Sequence, residues 1–570
     1  VNSSYTGTSS NRANPFVILS PENTCETSGS CISCNLIYSG NHYEALEKDS
    51  YGKFRFVAGI NPRSFSWQLA PGEAFYTPEA VLNFSADGFR GLSGQLHSFI
   101  REHIVRGVWK HKPRPVLLNS WEACYFKIDE KKLLQLAKAG KDAGIELFVM
   151  DDGWFLGRNN DTSSLGDWEP DPKKLPGGIA SLSKKIKELG MDFGIWVEPE
   201  MISENSNLYK GHPDWAMKIP GHPHSEGRNQ CILDLCNPEV RKYVIEEMTR
   251  VFSSGEIRYV KWDMNRNFSD IYSPYLPAAK QGETAHRYVL GLYHIMDELT
   301  TRFPEILFEG CSSGGNRFDL GILSYFPQIW ASDNTDALCR TGIQNSYSYG
   351  YPLSVFTAHV SSCPNHQTLR ITPLETRFQV ASFGVLGYEC NLKDLSGSDL
   401  NAIREQIALY KKWRDVFQFG SFYRGAENEA SDSETLSWTC VSPDGRRAVG
   451  LFFRRLTTPN QSHDWYRPVG LLPDVKYHFY GRNIKYNLKD FGDLVNTVSP
   501  VHIKQGSALQ EILSRFVNMD GEKEELTAYG DTLMRAGIAL KPAFAGTGYN
   551  SDTRLFPDFS SRIYFMEAAE

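Results

Sequence analysis

From about residue 116 to residue 420 of this 570-residue chain, short apolar runs alternate with segments of helical period, and no other feature constrains the fold as tightly. The runs are Val116-Leu117-Leu118, Leu147-Phe148-Val149-Met150, Phe193-Gly194-Ile195-Trp196-Val197, residues 257–261, Ile306-Leu307-Phe308 and Gln328-Ile329-Trp330. Between them lie predicted helices over 130–144, 179–190, 238–252 and 283–303; in the first, Leu133, Leu136, Ala137 and Gly140 share one face. Apolar stretches at 352–359 and 381–388 and a helix over 399–417 continue the series. Strands that are apolar on both faces need cover on both, so the sheet must be parallel and wrapped by helices. Six to eight such units predict a central (β/α)8 barrel.

Before residue 90 the pattern is β: Leu36-Ile37-Tyr38, Phe54-Arg55-Phe56-Val57 and Phe65-Ser66-Trp67-Gln68-Leu69 are separated by Gly, Asn and Pro turns. Some 80 residues are few for a complete sandwich with covered edges, so residues 1–90 are expected to be part of an N-terminal one. A helix leads into the barrel, assigned to 91–420. Period two returns at Thr435-Leu436-Ser437-Trp438, Ala448 to Phe453 and Tyr477-His478-Phe479-Tyr480, which predicts an antiparallel β-sandwich over 421–570 with its boundary at 420–428. The whole is multidomain, α/β plus β.

A net charge of -7 and a pI near 6.1 argue against a nucleic-acid partner. No run of about 18 apolar residues predicts a membrane span. The chain opens at Val1 without a basic n-region or an apolar h-region, so no signal peptide is visible and the compartment stays open between cytoplasm and exterior. Sequons at Asn2, Asn83, Asn160, Asn267 and Asn460 do not decide it. Cys31-x-x-Cys34 lacks a second pair, and the acidic residues lack His at i+3 or i+4, so no metal set is expected; the 11 cysteines are read as free thiols, or as disulfides if the protein is secreted.

The chemistry lies where the predicted strands stop. Consecutive runs end in Asn119-Ser120-Trp121-Glu122, Asp151-Asp152-Gly153-Trp154, Glu198-Pro199-Glu200, Lys261-Trp262-Asp263, Glu309-Gly310-Cys311-Ser312-Ser313-Gly314 and Ser332-Asp333-Asn334-Thr335-Asp336. Barrels assemble active sites at these ends. Gly314-Gly315 lacks the Lys-Ser/Thr of a phosphate loop, and Gly310 to Gly314 lacks the register of a serine elbow. Carboxylates beside Trp121, Trp154, Trp196, Trp262 and Trp330 suit a sugar, because carboxylates accept from hydroxyls and indoles cover the ring's C–H face. Glycoside cleavage needs one ionised and one protonated carboxyl. Lys261, two residues away on the same strand face, would keep Asp263 ionised as the nucleophile. Asp333 is expected to be the proton donor, its proton held by the charge of Asp336; Asp336 is the alternative donor.

These residues resemble the α-galactosidases of glycoside hydrolase family 36. The match runs through Gly7-Thr8-Ser9-Ser10, Gly59-Ile60-Asn61-Pro62, Asn119-Ser120-Trp121-Glu122-Ala123, Lys261-Trp262-Asp263-Met264-Asn265-Arg266, Cys311 to Asp319, Trp330 to Asp336 and Pro364-Asn365-His366-Gln367. The resemblance implies double displacement with Asp263 as nucleophile and Asp333 as acid/base. It implies that Asp151 and Asp152 bind the sugar's O4 and O6, with Trp196, Arg228, Lys261, Cys311 and Gly314 completing the subsite and Trp121 near C6. It also implies no cofactor or metal, an α-galactoside oligosaccharide as partner, a homotetramer in many members, and an N-terminal supersandwich longer than residues 1–90. A raffinose-synthase-like galactosyl transferase, an α-N-acetylgalactosaminidase and an inactive sugar-binding fragment are the alternatives.

Overall fold

The computed structural model describes residues 1–225, 227–425, 434–458, 463–514, 516–544, 550 and 552–569; Asn460 and part of the expected 420–428 boundary lie outside them. Eight parallel strands close into one barrel. They are β1 Leu117–Asn119, β2 Leu147–Met150, β3 Asp192–Val197, β4 Ile257–Trp262, β5 Leu307–Gly310, β6 Gln328–Trp330, β7 Phe356–Ser361 and β8 Val385–Glu389. Closure comes from Gly387 and Tyr388 of β8 pairing with Leu117 and Leu118 of β1. Apart from Asp192 and Arg258 every strand residue is buried, as the double-sided apolar runs require.

The intervening helices start and stop where local chemistry dictates. In Glu130–Ala143 the Asp129 side chain accepts from Lys132 N and Gly144, at φ 98°, ends the helix left-handed. In Pro238–Ser253, Asn237 caps and Pro238 fills the first turn. The barrel interior is graded along the strands. Leu117, Leu147, Val149, Tyr259 and Leu307 pack together with Trp109. Two residues further along each strand the inward positions become Asn119, Asp151, Lys261 and Glu309. The period of two therefore turns an apolar floor into a polar rim.

Two three-stranded antiparallel sheets precede the barrel, ordered Asn2–Ser3, His42–Lys48, Phe54–Ile60 and Phe16–Leu19, Cys31–Ile37, Glu79–Ser85. The expected strand at 65–69 does not form. Phe65, Trp67 and Phe75 gather around His286 instead, and Ser66 N and Gln68 N donate to Gly282 O and Glu283 Oε1. The segment Gly7 to Asn14 props the loop after β5. Ser9 Oγ and Ser39 Oγ bond Asp319 at 2.5 and 2.7 Å, Ser10 Oγ bonds Gly315 O at 2.6 Å, and Asn14 Nδ2 bonds Phe318 O at 2.6 Å.

The chain forms two compact units, the first holding 1–335, 343–367 and 384–395, the second 336–342, 368–383 and 396–570. All eight barrel strands fall in the first, whereas helix Gly397–Phe419, expected with the barrel, groups with the C-terminal residues. There a six-stranded sheet runs Ser421–Arg424, Thr435–Val441, Arg447–Arg454, Ser560–Ala568, Lys476–Gly481, Glu525–Tyr529. Tyr466 and Ile538, from the small pair Trp465–Tyr466 and Ile538–Ala539, pack onto it with Phe452, Phe479 and Tyr564. Among the described residues no helix is long and apolar enough to cross a membrane.

Candidate active site

A cavity of about 290 Å³ opens at the C-terminal ends of the barrel strands, a size at the small end for ligand sites. Trp121, Asp151, Asp152, Trp196, Arg228, Lys261, Asp263, Cys311 and Asp333 all line it. Gly314 lies behind Asp333: at φ 80°, a Cβ there would stand 2.5 Å from Asp333 N and 2.9 Å from its carboxyl carbon. Trp154 and Trp262 are fully buried and belong to the packing, not to the cavity. Trp154 Nε1 bonds Trp196 O at 2.9 Å and Trp262 Nε1 bonds Glu200 at 2.8 Å.

Asp263 is buried and accepts from four N–H groups: Met264 N at 2.9 Å and Ser313 N at 3.0 Å on Oδ1, Asn265 Nδ2 at 2.7 Å and Trp196 Nε1 at 3.2 Å on Oδ2. Burial alone would raise its pKa. The Lys261 charge, with hydrogen bonds from Ser313 N–H, the Cys311 thiol and Asn265, overcomes this and holds the carboxyl below its ordinary value. The expected direct Lys261–Asp263 pair is corrected in one respect. Lys261 Nζ bonds Asp151 Oδ2 at 3.1 Å and acts on Asp263 through its charge. The Ser313 N–H reaches Asp263 because Ser312 and Ser313 are both left-handed, at φ 52° and 56°. Such a conformation costs on the order of 1 kcal/mol or more per residue.

Asp333 is under the opposite influence. Its depth in the protein raises its pKa first, the charge of Asp263 second, and Glu389 adds to both; Lys261 and the Trp330 N–H, 2.8 Å from Oδ1, oppose. Its side chain is open to the cavity, so water relieves part of the desolvation until a ligand displaces it. Asp336 does not supply the charge expected of it: it is buried in an ion pair with Arg370 and does not line the cavity.

Asp151 accepts from Asn119 Nδ2 at 2.7 Å as well as from Lys261, and Arg158 grips Asp152 at 2.8 Å. Burial raises the Asp152 carboxyl, with Arg158 pulling the other way. The sequence singled out no role for Asn265, His366 and Gln367, though they lie in the motifs quoted above, nor for Arg158, Phe126 and Glu389; all six are in the cavity wall. Glu389 ends β8 as Glu309 ends the Ile306-Leu307-Phe308 run, so the same signal was available. Burial pushes its carboxyl up, but the hydrogen bond from His359 at 2.8 Å and the charges around it bring it down.

Glu198, directly after β3, is pushed up to about 8, by burial first and by the Asp263 charge second. It accepts from Asn265 N at 2.6 Å and faces the Gln230 amide at 3.2 Å. Gln230 Oε1 has no partner among the described residues; with the amide turned over it would accept a hydrogen bond from the O–H of neutral Glu198. A folded value above the unfolded one means that this stability is complete below about pH 4.3 and is lost as pH rises through the folded value. Glu198→Gln should therefore keep the fold while flattening the fall in Tm between about pH 4.3 and about pH 8, measured by thermal melts against the parent.

The family model for melibiase matches residues 74–420, that for the glycosyl hydrolase family 36 N-terminal domain 1–70, and that for its C-terminal domain 435–566. The chain is 45% identical over 478 residues to alpha-galactosidase AgaA of Geobacillus stearothermophilus, covering 84% of this chain and 65% of that protein. It is 47% identical over 474 residues to alpha-galactosidase 1 of Pediococcus pentosaceus, covering 83% and 64%. It thus spans slightly less than two thirds of the length of these curated relatives. A crystal structure of a G. stearothermophilus AgaA variant in complex with raffinose superposes with a TM-score of 0.87 at 41% identity, covering 100% of this chain and 71% of that one. A structure of the Lactobacillus brevis alpha-galactosidase does so at 0.88 and 39%, covering 100% and 70%.

Proposed function

The chain belongs to glycosyl hydrolase family 36, and from that membership we propose that it is a retaining exo-α-galactosidase acting on terminal α-linked galactose in oligosaccharides of the melibiose and raffinose kind. The observation that carries the reading is one cavity with two carboxyls pushed in opposite directions, Asp263 toward the anion and Asp333 toward the acid.

In the first step the Asp263 carboxylate attacks the anomeric carbon while Asp333 gives its proton to the departing glycosidic oxygen. This leaves a β-galactosyl ester on Asp263 and a neutral leaving sugar. In the second step Asp333, now ionised, takes a proton from water. The hydroxide attacks the same carbon, releases α-galactose and restores both carboxyls. The four donors on Asp263 fix its attacking geometry.

Asp151 and Asp152 are assigned to O4 and O6. Lys261, Asn119 and Arg158 orient them without using all the lone pairs of the two carboxylates, so a hydroxyl can still be accepted by each. An axial O4 then gains a bond that an equatorial one misses, and buried acceptors left unpaired penalise glucose. Trp121 and Trp196 form apolar walls, and Arg228, Cys311 and Gly314 complete the subsite. The division into 1–90, 91–420 and 421–570 belongs to the same reading; three successive family models, over 1–70, 74–420 and 435–566, support a three-part chain. Homotetrameric assembly is proposed from family membership alone. Proton NMR during hydrolysis of an aryl α-galactoside tests the mechanism. α-Galactose must appear before its β-anomer, and an α-glucoside must be turned over far more slowly; β-galactose appearing first would refute double displacement.

A further inference from the structure

Outside the pair of reacting carboxyls, three side chains of metal-ligand type meet where the segment of residues 227–231 enters the two-stranded sheet Met201–Ile202 and Cys231–Ile232. One ligand atom from each of Glu204, His224 and Cys231 lies within 4.8 Å of the other two. We propose that these three residues, with water as a fourth ligand, bind a thiophilic divalent cation of the zinc class.

The spacing fits. A zinc–sulfur bond of about 2.3 Å and a zinc–imidazole bond of about 2.0 Å at a tetrahedral angle put sulfur and nitrogen about 3.5 Å apart. Cys231 Sγ and His224 Nδ1 are 3.7 Å apart. The other ring nitrogen, His224 Nε2, lies 3.7 Å from Asp270 Oδ2, within charge-pairing range and about half an ångström beyond the carboxylate–histidine hydrogen bond that orients imidazole ligands. Asp270 is itself held by Ser225 N at 3.0 Å and Ser225 Oγ at 2.7 Å, with Arg266 at 3.6 Å. Burial grades from Cys231, buried, through His224 to Glu204, exposed, so the soft ligand sits inside and the ion has a route from solvent. Binding would displace the Cys231 thiol proton to solvent and leave a thiolate on the metal.

The position gives the ion something to act on. The same segment carries Arg228 into the active-site wall, and Arg266 already bonds Gln230 O at 2.9 Å and Ser225 O at 2.7 Å. An ion on Glu204, His224 and Cys231 would pin the chain at His224 and Cys231, on either side of Arg228, and should change KM for galactosides more than kcat.

Cobalt(II) titration of the full chain is the test. One equivalent should give a thiolate-to-metal absorption band in the near ultraviolet that zinc displaces. Cys231→Ser should abolish the band. Glu204→Gln, at an exposed position where folding is not at stake, should weaken binding about tenfold or more, and Asp270→Asn about 10- to 100-fold. Absence of the band in the parent would leave an ordinary thiol–imidazole hydrogen bond and overturn the site. A band that survives in Cys231→Ser, or affinity unchanged in Glu204→Gln, would overturn it equally.

Discussion

Asp263→Ala should lose hydrolysis of every α-galactoside by about four orders of magnitude or more, and added azide should partly restore turnover of an activated aryl galactoside, giving β-galactosyl azide. The reasoning starts from what the carboxylate leaves behind. Ser313 N, Asn265 Nδ2 and Trp196 Nε1 converge on it from 2.7 to 3.2 Å, so truncation opens an anion-shaped space lined with donors. A small anion can occupy that space and attack the anomeric carbon from the face that Asp263 used, which fixes the azide product as β. Lys261 stays paired with Asp151, so the variant does not strand a buried ammonium. Asp263 has its pKa depressed by folding. Its contribution to stability is thus present at neutral pH and lost as pH falls through the depressed value. The variant should melt below the parent at pH about 7, with the gap closing in acid. Mass spectrometry of the azide adduct and its anomeric coupling constant read the result. An α-azide, or turnover near the parent's, would remove Asp263 from the nucleophile's role.

How much of this was readable in the sequence depends on whether the determinant is local. The barrel was, because a strand covered on both faces must be apolar at both parities, as β2 is throughout and β3 is after Asp192. The strand ends were, because a charge at the end of a buried strand needs a reason. What the sequence hid are contacts across the barrel. Lys261 is near Asp263 along β4, yet its hydrogen bond goes to Asp151 at the end of β2. Trp154 and Trp262 carry the same local signature as Trp196, and only packing separates core indoles from those in the wall. Asp336 was credited to Asp333 by proximity in the chain, whereas Arg370 takes its charge. The aromatic run at 65–69 looked like a strand because aromatic residues favour strands, but its partner is the His286 ring. Strand Ser560–Ala568, central to the C-terminal sheet, went unread because it buries Ser560, Ser561 and Arg562, the last through an ion pair with Glu522. Glu204, His224 and Cys231 follow no metal-motif spacing; the antiparallel pairing of Ile202 with Cys231 brings their segments together.

Asp333→Ala should lower kcat/KM for melibiose or raffinose by about 10²- to 10⁴-fold while sparing the first step for an aryl galactoside whose leaving group needs no proton. The asymmetry follows from the role. A sugar alkoxide leaves slowly without a proton, whereas a nitrophenolate leaves readily, so the cost scales with leaving-group basicity. The pH profile makes the same assignment independently. Depth and the Asp263 charge hold the Asp333 proton to higher pH than an ordinary carboxyl would, so the parent's kcat/KM should fall on the alkaline side as that proton is lost. For an aryl substrate the variant should lose this alkaline limb and keep the acid limb, which belongs to Asp263. Trp330 provides the control, since its N–H donates to Asp333 Oδ1 and favours the ionised form. Trp330→Phe should therefore move the alkaline limb to higher pH, with the leaving-group dependence intact. Equal losses for melibiose and aryl galactoside in Asp333→Ala, or an alkaline limb that survives it, would assign the proton to another group, with Glu389, whose charge acts on Asp333 from the same wall, the candidate.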